Sequence, residues 1–197
     1  GARRLVLARE LSLEEIRAVC GAVAAEIEVF VHGALCLSYS GRCYLSSFLA
    51  HRGANRGLCT NSCRWRYALV EEKRPGEFLP VFEDPRGAYV LSPRDLCPID
   101  HLDALAAAGV DSFKVEGRTK GINYLAAVVR VYRRAIDALA AGASEEERRG
   151  WRRELSAFGS RGHTTGMLLG PMGKDDYNFD DRGGGTAGWE LVGFVEA

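Results

Sequence analysis

The chain has 197 residues, 47% of them hydrophobic, and its 26 basic and 26 acidic side chains cancel, which excludes a partner chosen by net charge alone. No apolar run approaches the roughly 18 residues that cross a bilayer, and GARRLVLARE lacks the apolar centre of a signal peptide. A soluble, cytoplasmic chain with no membrane partner is expected, its six cysteines reduced and free for metal, redox or packing roles. The absence of an initiator Met points to a fragment.

In chain order, Arg4 to Ala8 forms a short apolar run that reads as a strand. Ser12 and Glu15 make a capping box for a helix whose apolar stripe is Ile16, Val19, Cys20 and Val23, and Cys20 on that stripe is expected to pack in the core. Ile27 to Val31 is a buried strand opened by Glu28, which would pair with an Arg, and closed by a turn at His32-Gly33. Beyond the cysteine segment, Phe78 to Phe82 and Tyr89 to Leu91 flank DPRG and read as a hairpin. Pro98 opens a helix with Leu102, Leu105 and Ala106 on one side and Gly109 at its end. Ser112 to Val115 is a strand that leads into EGRTKG. From Ile122 to Leu139 runs an amphipathic helix with Leu125, Val128, Val129, Tyr132 and Ile136 on its apolar face, and Ser144 to Leu155 reads as a charged, solvated helix.

Alternating strands and helices argue an α/β architecture with parallel strands, although about three such units are too few to close a barrel of eight. After Gly159 the composition turns Gly-rich and acidic. This divides the chain into residues 1–158, carrying the cysteines, and residues 159–197, a linker toward a small β domain. His51, His101 and His163 lack partners at ligand spacing and are assigned to the surface.

Cys36, Cys43, Cys59 and Cys63 fall in one segment, and Cys97 follows after 33 intervening residues. Only Cys59 and Cys63, with three residues between them, show the tight spacing of a zinc pair. An iron–sulfur cluster tolerates wider spacing, so cluster, zinc and unrelated thiols all stay open. From Val29 to Val70 there is no Asp or Glu, while Arg42, Arg52, Arg56, Arg64 and Arg66 all lie there. Such a segment is either a solvated loop or a surface that meets an anion.

EVFVHGALCLSYSGRCYLS at 28–46 and NRGLCTNSCRWRY at 55–67 resemble the signature of the collagenase-like peptidase family U-32. LSPRDLC at 91–97, AGVDSFKVEGRTK at 108–120 and VYRRAID at 131–137 agree with it. The resemblance implies a TIM-like barrel followed by a small β domain, of which this chain would be the C-terminal part of the barrel with a hairpin insertion. The better understood members of the family are oxygen-independent hydroxylation proteins. One branch, which this chain resembles most, uses prephenate in making 5-hydroxyuridine at the tRNA wobble position. The same resemblance implies a [4Fe-4S] cluster on Cys36, Cys43, Cys59 and Cys97, with Cys63 as a spare, and tRNA as partner.

For catalysis the candidates are His32, at a strand end, with Lys114, Glu116 and Arg118, which alternate at another strand end. They form either a substrate clamp or an internal ion-pair network. Arg42, Arg56, Arg64, Arg66 and Lys120 are the candidates for binding substrate. A peptidase needs an activated nucleophile or a metal-bound water. The sequence has no HExxH or GxSxG, and Cys36 with His32 is its only local nucleophile–base candidate. Two alternatives to hydroxylation stand: a collagenase-like peptidase, and a non-catalytic zinc-bearing interaction module. With barrel strands missing, a homo-oligomer or a further barrel segment is expected to cover the open faces.

Overall fold

The computed structural model describes residues 1–36, 38–65, 68–70, 78–80, 93–118, 120–158 and 161–177. β1 (Arg4–Val6) leads into α1 (Leu13–Ala22), where Ser12 and Glu15 form the expected capping box, and the chain returns in β2 (Glu26–His32) parallel to β1. The cysteine segment contains α2 (Leu45–Ala50) and one-turn 3-10 helices at Ala54–Arg56 and Ser62–Arg64. β3 (Ala68–Val70) pairs antiparallel with β4 (Phe78–Pro80). β4 therefore has a partner before it in sequence, and the expected partner at 89–91 lies outside the described residues. The chain resumes with β5 (Asp95–Leu96), then α3 (Leu102–Ala107), β6 (Ser112–Val115), α4 (Ile122–Asp137), α5 (Glu145–Ser156) and β7 (His163–Thr164).

The main sheet has the order β1-β2-β6, all parallel, and β5 pairs parallel with β7. The fold is thus mixed α/β with parallel strands, and no closed barrel is formed among the described residues. Ile27, Val29 and Val31 alternate along β2 and are fully buried against Ile99, Leu102 and Leu105 and against Val128 and Val131 of α4. Strand and helix meet because both sequences place apolar side chains at the period of their own element. Lys114 donates to Glu28 at 2.8 Å, Ser112 to the same carboxylate at 2.9 Å, and Arg4 at 3.3 Å, so Glu28 has the basic partners expected of it.

Three helical readings are corrected by packing. Ala106 is exposed and Ala108 buried, because α3 begins with a 3-10 turn, Ile99–His101, that rotates its faces. Val129 is 52% exposed while Ala127, Val131 and Ala135 are buried, so the stripe of α4 is turned from the one its larger residues suggest. α5 is not simply solvated: Trp151 and Leu155 are buried, and Arg152 pairs with Asp100 at 2.6 Å.

Residues 161–177 return to the body. β7 pairs with β5, Leu168 is buried in the core, and its carbonyl accepts from Leu13 N at 2.9 Å. Glycine composition marked a linker, whereas the backbone of 161–177 is tied down by pairing. Among the described residues, no helix is long and apolar enough to cross a membrane.

Candidate functional site

β2 ends at Gly33, which has φ +110° and exchanges hydrogen bonds with Leu96 at 3.1 and 2.8 Å. A side chain there would collide with the Glu116 carbonyl and stand 2.9 Å from Glu116 Cβ, so only glycine lets the two rim loops meet. The chain then passes Cys36 and folds back through α2 and the two 3-10 turns. It encloses a pocket of about 410 Å³ whose lining includes Cys36, Cys43, Cys59 and Cys63, with Arg9, Glu116 and Arg118 on the same wall.

Short polar side chains hold the cysteine loops. Buried Ser46 Oγ accepts from Thr60 N at 3.2 Å, and the Thr60 hydroxyl lies 2.7 Å from that of Ser62. Asn55 Oδ1 accepts from Cys43 N at 3.1 Å, and Asn61, at φ 56°, donates its backbone N–H to Cys59 Sγ at 3.3 Å. Burial raises the Cys36 thiol above its usual range; a backbone hydrogen bond at Ser38 and the charge of Arg9 oppose that, and neighbouring Cys43 and Cys59 add to it. No disulfide joins any of the six cysteines.

Arg9 is half-buried over the Phe30 ring, 3.7 Å from its centroid, and donates to Glu116 at 3.2 Å. Arg118 donates to the Gly57 carbonyl, which closes the loop over the pocket. Lys114 is engaged with Glu28 beside Phe30. Arg42 and Arg56 are exposed, the former 5.8 Å from the Tyr39 ring. Arg66 lies outside the described residues, and Arg64 is placed by its backbone alone.

Cys97 is elsewhere. Its buried thiol lies 3.7 Å from Tyr132 Oη and is pushed up to about 11 by burial, and it does not line the thiol pocket. His32 is on that side too, 1% exposed, with Nδ1 3.3 Å from Tyr132 Oη, so it does not face Cys36 as a base would. The β2–β6 register slips between Phe30 and His32, and a slip of this kind re-aims the side chain beyond it. His163, assigned to the surface on spacing, stands 5.6 Å from the His32 ring, and Lys120 joins the same group through Asp95 at 3.7 Å.

Arg9, Ser46, Asn55 and Asn61 were not among the sequence candidates. The signal available for the last three was the run of Ser, Thr and Asn around the cysteines, residue types that cap backbone turns. Arg9 had no local signal.

Among the described residues, no group of three or more His, Cys, Asp or Glu side chains converges closely enough for a single metal ion. A cubane cluster takes one thiolate on each of four irons and so spreads its ligands wider. The donor types suit such a cluster: thiols, a sulfur-directed N–H and a half-buried arginine to offset negative charge.

Residues 1–178, which include the whole pocket, match the family model described as Peptidase family U32. The chain belongs to that family. Among relatives, this U32 chain is 38% identical to the tRNA hydroxylation protein P of Escherichia coli, over 91% of its own length and 48% of the relative's. It is 38% identical to the Bacillus subtilis tRNA hydroxylation protein P1, over 99% and 46%. It is 39% identical to a Porphyromonas gingivalis collagenase, over 84% and 42%. The chain spans about half the length of the curated relatives it matches. No solved structure matches it.

Proposed function

We propose that this U32 chain is the cysteine-bearing part of an enzyme that hydroxylates uridine in tRNA. The observation that carries this reading is the surface around the thiol pocket. Tyr39, Tyr44 and Phe48 are 67, 75 and 80% exposed, and exposed Arg42, Arg52 and Arg56 are interleaved with them. Exposed aromatics are costly in water but stack on unpaired bases, and arginines hold the phosphates between them, the composition of a single-strand RNA surface. The names of the relatives support a tRNA substrate, and the resemblance supports prephenate as co-substrate. The three-stranded parallel sheet is read as one sector of a TIM-like barrel.

In this reading Cys36, Cys43 and Cys59 hold a [4Fe-4S] cluster, which would supply one-electron chemistry without oxygen. For the fourth thiolate, the family resemblance favours Cys97 and the pocket lining favours Cys63. Cys63 faces the other three, whereas Cys97 would have to leave a buried site beside Tyr132 and lose a proton there. The chain's own residues do the rest: Arg9 offsets thiolate charge, Glu116 fixes Arg9, and Arg118 closes the loop over the pocket.

The test uses the full-length protein, purified without oxygen, with iron and sulfide measured and 5-hydroxyuridine counted in tRNA from a complemented deletion strain. Cys36→Ser, Cys43→Ser and Cys59→Ser are expected to lose iron and modification together, and comparing Cys63→Ser with Cys97→Ser assigns the fourth position. Unchanged modification in a protein without iron would sink the proposal; zinc without sulfide would favour the interaction module. Peptide hydrolysis is the weaker reading because no histidine is among the described residues lining the thiol pocket.

A further inference from the structure

Four buried polar atoms lack a hydrogen-bond partner among the described residues: Asp95 Oδ2, Tyr124 Oη, Arg161 Nε and His163 Nε2. They are not scattered. Arg161 donates through Nη2 to Asp95 Oδ1 at 3.2 Å, and Lys120 Nζ lies 3.7 Å from Asp95 Oδ2 and 4.7 Å from the Tyr124 ring. The His32 ring stands 5.9 Å from that of Tyr124 and 5.6 Å from that of His163. All four orphans thus belong to one polar nest at the ends of β2 and β5 and the starts of α4 and β7. Asp95 at its centre is 1% exposed. The side chains of Lys120 and Arg161, 22 and 20% exposed, mark the way in.

An unmatched buried donor or acceptor costs about 1–3 kcal/mol, and natural folds leave few of them. Four in one place indicate an occupant that supplies the partners. Its chemistry follows from theirs. Arg161 Nε–H and the Tyr124 hydroxyl, held protonated because burial raises it, are donors without acceptors, and the Lys120 ammonium, ion-paired with Asp95 Oδ2 at 3.7 Å, has N–H groups to spare. At that separation Asp95 Oδ2 is ion-paired but accepts no hydrogen bond. Arg161 and Lys120 together carry one positive charge more than Asp95, and His32 is neutral because burial pushes it down to about 3.

We propose that this nest is a second ligand site, built for a small monocarboxylate that bears a neighbouring hydroxyl. The carboxylate takes the surplus positive charge and accepts from Arg161, Lys120 and Tyr124, and the hydroxyl donates to Asp95. His163 Nε2 serves whichever group stands beside it. The site is lined separately from the thiol pocket and does not depend on a cluster being there.

The test is equilibrium binding to the full-length protein by calorimetry, with glycolate, acetate and uridine as probes. Glycolate is expected to bind saturably in the millimolar range, as suits so few atoms, and acetate about tenfold more weakly for want of the hydroxyl. Tyr124→Phe removes an orphan hydroxyl. It is expected to weaken glycolate about tenfold while leaving the melting temperature of the free protein unchanged or raised. Absence of saturable glycolate binding, equal binding of acetate, preference for uridine, or a Tyr124→Phe variant that binds glycolate normally would each overturn the proposal. Because no activity is measured, this outcome is independent of tRNA modification.

Discussion

At the scale of single residues, Gly33 and His32 sit side by side and face opposite demands. Gly33 adopts φ +110° where a Cβ would collide with the Glu116 carbonyl and stand 2.9 Å from Glu116 Cβ. Gly33→Ala therefore forces the rim loops apart, and a loss of about 2 kcal/mol or more is expected in urea denaturation of the full-length protein. His32 must stay neutral. Its folded value is about 3 against 6.5 for a free ring, chiefly through burial, with His163 and Lys120 adding to the shift. The unfolded chain gains its proton near pH 6.5 and the folded chain only near 3. Stability from the neutral ring is thus complete above pH 6.5 and is lost as pH falls toward 3. His163 shifts the same way by burial, opposed by Asp95, and Cys97, Tyr124 and Tyr132 complete the surroundings. At about 1.4 kcal/mol per pH unit, the wild type is expected to lose about 2 kcal/mol more than His32→Asn between pH 6.5 and pH 5. Equal losses in the two proteins would show that His32 is not the group responsible.

At the scale of elements, α5 shows how a charged sequence becomes part of a core. Its mean composition is strongly polar, yet Trp151 and Leu155 sit on one side and meet α4, while Arg130 and Arg134 of α4 both reach Glu154. The exposed pairs add little stability, so the seam rests on the two apolar side chains. Trp151→Ala is expected to cost about 3–5 kcal/mol. Ser144→Ala, which removes the cap on the Glu147 backbone N–H, is expected to cost about 1 kcal/mol. Both are measured as shifts in denaturation midpoint, and a larger loss from the cap than from the tryptophan would contradict this account. The cysteine loops follow other rules: short turns, with Ser46, Asn55, Thr60 and Asn61 providing the partners that a longer element would find in itself.

At the scale of the whole molecule, the described part of the sheet stops at β1 and β6, with no further strand on either edge. Open parallel edges, with Val6 of β1 exposed, invite pairing. The 197-residue chain alone is expected to elute larger than a monomer in size-exclusion chromatography. A compact, stable monomer would contradict that. The basic and aromatic surface makes a separate prediction for the full-length protein. If the proposed tRNA substrate is right, replacing Arg42 and Arg56 together by alanine is expected to weaken tRNA binding uniformly and to flatten its salt dependence by about 0.7 for each phosphate no longer neutralised. Replacing Phe48 is expected to weaken binding to unpaired RNA by about 1–3 kcal/mol with the salt slope unchanged.

Local rules make much of this chain legible in its residues alone. The capping box at Ser12, the apolar alternation of β2 and the parallel α/β class follow from residue types at fixed spacing, because their causes lie within a turn or a strand. The crowding of four thiols with arginines and no acids is equally visible, and the fold does bring Cys36, Cys43, Cys59 and Cys63 to one pocket. What lies beyond the sequence is every relation between distant segments. The family resemblance, not spacing, is what joins Cys97 to the other thiols, and its thiol lies against Tyr132. His163 has no partner in sequence and meets His32 because β7 pairs with β5, and Asp95 becomes the centre of a buried nest only when Lys120 and Arg161 arrive from either side. Spacing carries periodicity and caps; which faces meet, and which polar atoms they strand, is decided by three-dimensional closure.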